Sequence, residues 1–290
     1  MIRHPPLTSA HRDYAIVQQL ESALAHQAHG LDKLKQALPS LIRAAIDEVI
    51  DAPRTGRVHA RELEKTEKTY IGTKVEILVR NFFRLPKGIL DLTIDGLDVD
   101  VKNTLGDTWM IPREAVGKPC ILVASDEDKH TCFFGIFIAH LDNLTSGVNQ
   151  DQKRSVSAAG FMNIHWILID EPYPVSFWSK LGTQKTHAIM RGKSGSERVE
   201  ALFREVQAIP VHRDIVQAVA QQKDYMKRLR KNGGARDVLA REGIAILSAT
   251  YDSLLIRRLG LPPLDRDEFI SFKPTSAADI AMLQRAEKIA

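Results

Sequence analysis

Residues 89–103, ILDLTIDGLDVDVKN, place Asp91, Asp95, Asp98, Asp100 and Lys102 in a run otherwise rich in Ile, Leu and Val. Asp95-Gly96 lies between two alternating stretches. That is a strong signal for a tight hairpin, because the turns that close such hairpins need positive φ. With those two residues as the turn, Ile94 faces Leu97, Leu92 faces Val99 and Leu90 faces Val101, all on one side by the two-residue period of a strand. On the other side Thr93 meets Asp98, Asp91 meets Asp100 and Ile89 meets Lys102. The register therefore sets two carboxylates opposite each other, with Cβ atoms roughly 4.5–5.5 Å apart, and like charges so placed destabilise a strand pair. Keeping one acid protonated offsets the repulsion, and so does a divalent cation with oxygen ligands, for which Mg²⁺ is the common choice. Lys102, diagonal to Asp91 and two residues beyond Asp100, adds a positive charge at the same place.

Such a group can hydrolyse a phosphodiester. Two carboxylates hold Mg²⁺, which neutralises charge on the phosphate and acidifies a bound water. A lysine beside them orients or deprotonates that water, or stabilises the developing charge. A hairpin whose charges merely face solvent would read the same from these residues alone.

The elements that must position the hairpin are legible on either side of it. Residues 12–50 read as helices, with apolar residues three and four apart in AIVQQLESALAHQAHGLDKL and LPSLIRAAIDEVI. Residues 66–83 read as another, with Val75, Leu78, Val79 and Phe82 as its apolar stripe and Glu76 on the face with Thr73 and Arg80. Pro86-Lys87-Gly88 ends it. CILVAS, CFFGIFIAHL and NIHWILID are further strands. WMIPREAVG starts a helix at Pro112, which suits a first helical turn, with Trp109 and Met110 in the core. Residues 171–196 read as a loop rich in Pro and Gly and as the linker between two domains, 1–175 and 176–290. Beyond it SERVEALFREVQAI and RDIVQAVAQQKDYMKRLRKNGG read as helices, the first capped by Ser and the second ended by a Gly pair.

Two domains fit 290 residues, and 44% hydrophobic residues suffice for real cores. The net charge of +4 is compatible with a nucleic-acid partner. Aromatic residues, at 6%, are too sparse to suggest a stacking platform for single strands. Cys120 and Cys132 have no Cys or His neighbours at zinc spacing and read as buried, reduced thiols of a cytoplasmic protein. No segment has the apolar length of a signal peptide or a membrane span.

Asp91…Asp100-Val101-Lys102 resembles the site of the PD-(D/E)xK nucleases, although Leu90 stands where that pattern has Pro. The neighbourhood extends the likeness. LEKTEKTYIGTKVEILVRNFF, ILDLTIDGLDVDVKN, WMIPREAVG, NQDQKRSVSAAG and MKRLRKNGGARDVLAREGIAIL together resemble the NaeI family of restriction endonucleases over most of the chain. The resemblance implies an α+β architecture: a mixed-sheet PD-(D/E)xK nuclease core flanked by helices, then a mostly helical, winged-helix, CAP-like DNA-binding domain. It implies double-stranded DNA as substrate and Mg²⁺ as cofactor. Asp91 and Asp100 would be metal ligands, Lys102 the lysine of the site, and Glu76 an additional acid holding a water or a second metal. Alone, Glu76 is an ordinary helix-surface acid, and Asp98 is peripheral.

The resemblance also raises the loop at 149–160, with Asn149, Gln152, Lys153 and Arg154, from a polar surface loop to a candidate DNA contact. Residues 223–241 hold seven cations against Asp224 and Asp237, an imbalance that suits phosphate binding. Lys227, Arg228, Arg230, Lys231 and Arg236 are the candidates there. The activity implied is a type II restriction endonuclease cutting a palindrome, with GCCGGC suggested, as a homodimer. A second DNA site would activate it, and a methyltransferase would be its functional companion. A Mg²⁺-dependent repair nickase would share the hairpin. A catalytically inactive DNA-binding regulator would not need the intact set of Asp91, Asp100, Lys102 and Glu76.

Overall fold

The computed structural model describes residues 7–290, which divide into two compact units. The first comprises Arg57–Lys180 and the chain up to Asp51; the second comprises Ala52–Gly56 and Leu181–Ala290. The chain enters the second unit five residues beyond the division read from composition.

The first unit opens with α1 (Tyr14–Gln27) and α2 (Leu31–Ile50), separated where His29 and Gly30 take positive φ. The short α3 (Ala52–Thr55) lies in the segment grouped with the second unit. Next come α4 (Lys65–Phe82), β1 (Leu92–Ile94), β2 (Leu97–Thr104) and β3 (Met110–Ile111). The unit continues with β4 (Pro119–Asp126), β5 (Thr131–Ile138), β6 (Arg154–Ser155), α5 (Ala158–Phe161) and β7 (His165–Pro172). Five strands form one sheet in the order β1-β2-β4-β5-β7; β2 and β4 run parallel and the other pairs antiparallel. β3 and β6 form a separate antiparallel pair.

The sheet has two unlike faces. Cys120, Leu122 and Ala124 of β4 pack with Trp109, Phe137, Leu144 and Val156. Ile121 and Val123, buried on the opposite face by strand alternation, belong to the side covered by α1, α2 and α4. Trp109 is fully buried and donates its indole N–H to the Val123 carbonyl at 2.7 Å. Met110 is only half-buried, so only Trp109 is core as expected. Pro112 precedes a single 3₁₀ turn, Arg113–Ala115, rather than a full helix.

The hairpin turn is where the Asp-Gly pair put it: Asp95 has φ 47° and Gly96 φ 80°. Ile94 pairs with Leu97, Thr93 with Asp98 and Leu92 with Val99. The ladder stops there. Asp91 leaves it, its N–H reaching back to the Val99 carbonyl at 3.3 Å, so Asp91 and Asp100 are not a strand pair. Asp98 accepts the Leu90 N–H at 3.0 Å. A Cβ at Gly88 would meet that same carboxylate at 2.3 Å, so the approach to the hairpin needs glycine there.

The second unit contains the later part of α6 (Phe177–Met190), then α7 (Gly195–Glu205), β8 (Val211–His212), α8 (Arg213–Ala220) and α9 (Ala235–Arg241). It ends with β9 (Ala245–Ser248), α10 (Ala249–Arg258), β10 (Glu268–Phe272) and α11 (Ala277–Arg285). Its antiparallel sheet runs β8-β10-β9. Two expectations from sequence are overturned. The supposed loop at 171–196 holds the end of β7, the whole of α6 and the start of α7; the helical path of α6 is interrupted by Gly182 at φ 77°. The supposed long helix from Arg213 ends at Ala220, because Gln221 adopts a left-handed conformation; the chain makes only a 3₁₀ turn at Tyr225–Arg228 before α9. No helix among the described residues is long and apolar enough to cross a membrane.

Because the Asp98 carboxylate is what ties Leu90 to the hairpin, Asp98→Ala should lower unfolding free energy by roughly 1–2 kcal/mol. Asp98→Asn, which keeps an acceptor, should cost less. Urea denaturation of the two variants checks this, and equal stabilities would refute it.

Candidate active site

β2 carries the two residues on which the site is built. In the parallel register Asp100 lies beside Cys120 and Lys102 beside Leu122, so both point to the face packed with apolar side chains. Asp100 is 3% exposed. Burial raises its pKa to about 7; the nearby Lys102 ammonium opposes that rise and the Asp91 carboxylate adds to it. The Lys102 Nζ sits 2.7 Å from Asp100 Oδ1 and 3.6 Å from Asp91 Oδ2. Burial works against the ammonium, but Asp100, Asp91 and Glu76 together outweigh it and hold Lys102 charged to higher pH than a free lysine. Thus the two carboxylates share one cation and also lie within hydrogen-bonding range of each other.

Asp91 is also fixed by the backbone. Its Oδ2 accepts the Val101 N–H at 2.7 Å, in the place a longer β1 would have filled. Glu76 comes from α4, whose buried stripe is Ile71, Val75 and Val79, with Leu78 and Phe82 only half-buried. Its pKa is raised, first by burial and then by the charge of Asp91, with Lys102 and Arg80 opposing. Glu76 and Lys102 line one open cleft of about 730 Å³. A second cleft of similar size in this unit centres on Arg43. There the guanidinium already bridges Asp47 at 2.9 Å and Glu127 at 2.6 Å and stacks on Tyr173, a structural network.

No three His, Cys, Asp or Glu side chains among the described residues form a ready-made metal cluster. A magnesium ion does not need one, since it is commonly held by one or two carboxylates with waters and substrate phosphates. Asp100 Oδ2 supplies the fit: it is buried and has no hydrogen-bond partner. A buried carboxylate oxygen left so is costly unless a cation or donor meets it. Asp100 and Asp91 are therefore suited to hold a hard divalent cation.

The candidate DNA residues separate into used and available groups. Asn149 Oδ1 accepts the N–H groups of Asp151 and Lys153, at 3.0 and 2.9 Å, and so builds its own loop. Arg154 donates to the Thr145 carbonyl at 2.8 Å and to that of Ser146. Gln152 is exposed at the turn, with φ 58°. Lys153 lines the cleft with Glu76 and Lys102, the one residue of that quartet brought there. In the second unit Lys227 pairs with Asp224 at 2.6 Å and Arg228 donates to Gln222 at 2.9 Å. Lys231 is exposed. Arg230 and Arg236 line a pocket of about 500 Å³ together with Arg213 and Arg266. Burial lowers the Arg236 pKa, and its Nε is enclosed without a hydrogen-bond partner. Arg213 and Arg266 escaped the sequence reading because they lie outside the basic run; only the fold brings them to it.

A family model described as Restriction endonuclease NaeI matches residues 23–281. The chain is 29% identical over 279 residues to the Type II restriction enzyme NaeI of Lentzea aerocolonigenes, covering 89% of this chain and 84% of that protein.

The Asp100 carboxylate makes a pH prediction for the metal-free protein. Its folded pKa, about 7, lies above the ordinary aspartate value, so the folded state holds the extra proton between the two. Its effect is to lower stability as pH rises through that window. Asp100→Asn removes the titration. In chelator, its stability relative to the parent should rise between pH 4 and pH 8 by on the order of 1–3 kcal/mol. A pH-independent difference in denaturant midpoint would contradict it.

Proposed function

The chain belongs to the restriction endonuclease NaeI family, and we propose that it is a type II site-specific deoxyribonuclease. It hydrolyses both strands of duplex DNA at a short palindrome, GCCGGC by family likeness, and leaves 5′-phosphates. The observation that carries this reading is the Asp91–Lys102–Asp100 group, with an unpartnered Asp100 oxygen, in the same cleft region as Glu76. Asp91 and Asp100 would hold Mg²⁺, which would neutralise phosphate charge and lower the pKa of a water. Lys102, kept charged by three carboxylates, orients the attacking water and stabilises negative charge growing on the phosphate rather than removing a proton. Glu76, with its raised pKa, accepts a proton or holds a second water. The enzyme acts in the cytoplasm as a homodimer, which a palindrome calls for, and a separate methyltransferase protects its own DNA.

The second unit supports a winged-helix, CAP-like reading. Its order α7-β8-α8-α9-β9-β10 and sheet order β8-β10-β9 match helix, strand, two helices and a two-stranded wing, here with α10 inserted in the wing. We assign α9 and its preceding turn to DNA, with Arg230 and Arg236 on phosphates. This unit binds a second copy of the site, and its occupancy activates the first, a coupling between two sites.

Incubation of the protein with plasmid and Mg²⁺ tests the reading. Linear product is expected, and nicked or unchanged plasmid would favour a nickase or an inactive binder. Asp100→Ala should reduce cleavage by about 10³-fold or more, the scale of several kcal/mol of lost electrostatic stabilisation, while DNA binding in Ca²⁺ persists. One-site plasmid should be cut slowly and accelerated by short duplexes carrying the site. Arg230→Ala/Arg236→Ala should lose that acceleration and keep the slow basal rate. Equal rates on one-site and two-site plasmids would refute the second-site role.

A further inference from the structure

α4 supplies more to the cleft than Glu76. Lys65, Lys68, Thr69, Gly72, Thr73 and Glu76 all line it. At 100° per residue these six fall on one face of the helix. The charges of α4 are sorted about that face. Glu67 turns away to a bidentate pair with Arg57, at 2.5 and 2.7 Å, and Lys74 turns away to Glu48. Lys65 and Lys68 are exposed and form no ion pair with a carboxylate among the described residues. Apart from the terminal Glu76, the face offers two ammonium groups, the Thr73 hydroxyl and a glycine; the Thr69 hydroxyl already donates to the Lys65 carbonyl at 3.0 Å.

Gly72 is the independent sign. It lies inside α4, where glycine destabilises a helix relative to alanine. Its φ is not in the left-handed region, and a Cβ built on it meets nothing within 4 Å. Nothing in the protein requires glycine there. A glycine with no protein neighbour, facing an open cleft, permits close approach of a ligand to the helix backbone.

We propose that this face of α4 is a track for the phosphates of one DNA strand leading to the cleavage centre. Lys65 and Lys68 contact phosphates, Thr73 supplies a hydroxyl, and Gly72 is the point of closest approach. This rests on the nuclease reading above and names how the same cleft takes its substrate. The helix rise of about 1.5 Å per residue places Lys68 about 12 Å and Lys65 about 16 Å from Glu76 along the axis. One strand of B-DNA carries a phosphate per about 3.4 Å of duplex axis, so a track of this length spans roughly four or five phosphates where the two run together. Glu114 and Lys153 stand elsewhere on the cleft lining.

The test uses the full-length protein, a plasmid that the parent cuts in Mg²⁺, and a short duplex taken from around the cut for binding in Ca²⁺. Gly72→Leu is expected to melt no lower than the parent yet bind the duplex at least about tenfold more weakly, as for one or two lost phosphate contacts. Lys65→Ala/Lys68→Ala should flatten the slope of log K against log salt by about 2 on duplex DNA. Lys74→Ala, removing a lysine already paired with Glu48, should leave the slope unchanged. Unchanged binding by Gly72→Leu, a lower melting temperature for it, or an unchanged slope for the double lysine variant overturns the track while leaving the nuclease reading intact. A parent protein that neither binds the duplex nor cuts plasmid overturns both.

Discussion

The ammonium group of Lys102 between Asp91 and Asp100 is the interaction around which the first unit is arranged. A carboxylate facing Cys120 and Leu122 across a parallel strand pair loses most of its hydration. Lys102 returns part of that loss, and the two aspartates in turn keep Lys102 charged. The balance requires each group to be held in position. β2 fixes Asp100 and Lys102, the Asp95-Gly96 turn brings the chain back, and the Val101 N–H holds Asp91. Asp98 and Gly88 set the entry of the chain into this arrangement. A cation at Asp100 Oδ2 would complete a set of charges that the protein alone leaves one short.

Much of this could be read from fifteen residues, because a hairpin is a local object. The turn residues, the two-residue alternation and the apolar face of Leu92, Ile94, Val99 and Val101 all follow from neighbours in the chain. What failed was the assumption that the ladder extends to its geometric limit. Asp91 keeps its N–H on the Val99 carbonyl but meets the Val101 N–H with its carboxylate instead of its backbone, which no periodicity encodes. Glu76 is a candidate through family likeness alone, while Lys65 and Lys68 on the same helix face carry no signal in the sequence, since no spacing rule separates a paired lysine such as Lys74 from an unpaired one. In the second unit, α6 was hidden because FWSKLGTQKTHAIM has a glycine in its middle and no clean apolar stripe. The end of α8 at Ala220 was missed because Gln221 takes a conformation that glutamine rarely adopts.

The distribution of cations separates two uses of charge. Arg43, Arg57 and Arg204 each meet a carboxylate: Glu127 at 2.6 Å, Glu67 at 2.5 Å and Glu242 at 2.7 Å. These bonds organise the fold and leave little charge to the outside. Lys65, Lys68 and Lys153 line the cleft shared with Glu76 and Lys102, and Arg213, Arg230, Arg236 and Arg266 share another pocket. A modest net charge thus conceals two concentrated positive surfaces, one in each unit, which matter more for a polyanionic ligand than the total does.

The early departure of β1 from the sheet also bears on the solubility of the protein. β1 is an edge strand of only three residues, so it leaves the later part of β2 without a strand partner on that side. Unpaired strand edges are templates on which other chains can add, and proteins blunt them with charge, brevity or a covering group. Here the Asp91 carboxylate occupies the Val101 N–H and presents negative charge along the edge. The Asp91 side chain thereby covers part of the sheet edge, and its replacement by an apolar side chain would leave the Val101 N–H open to another strand.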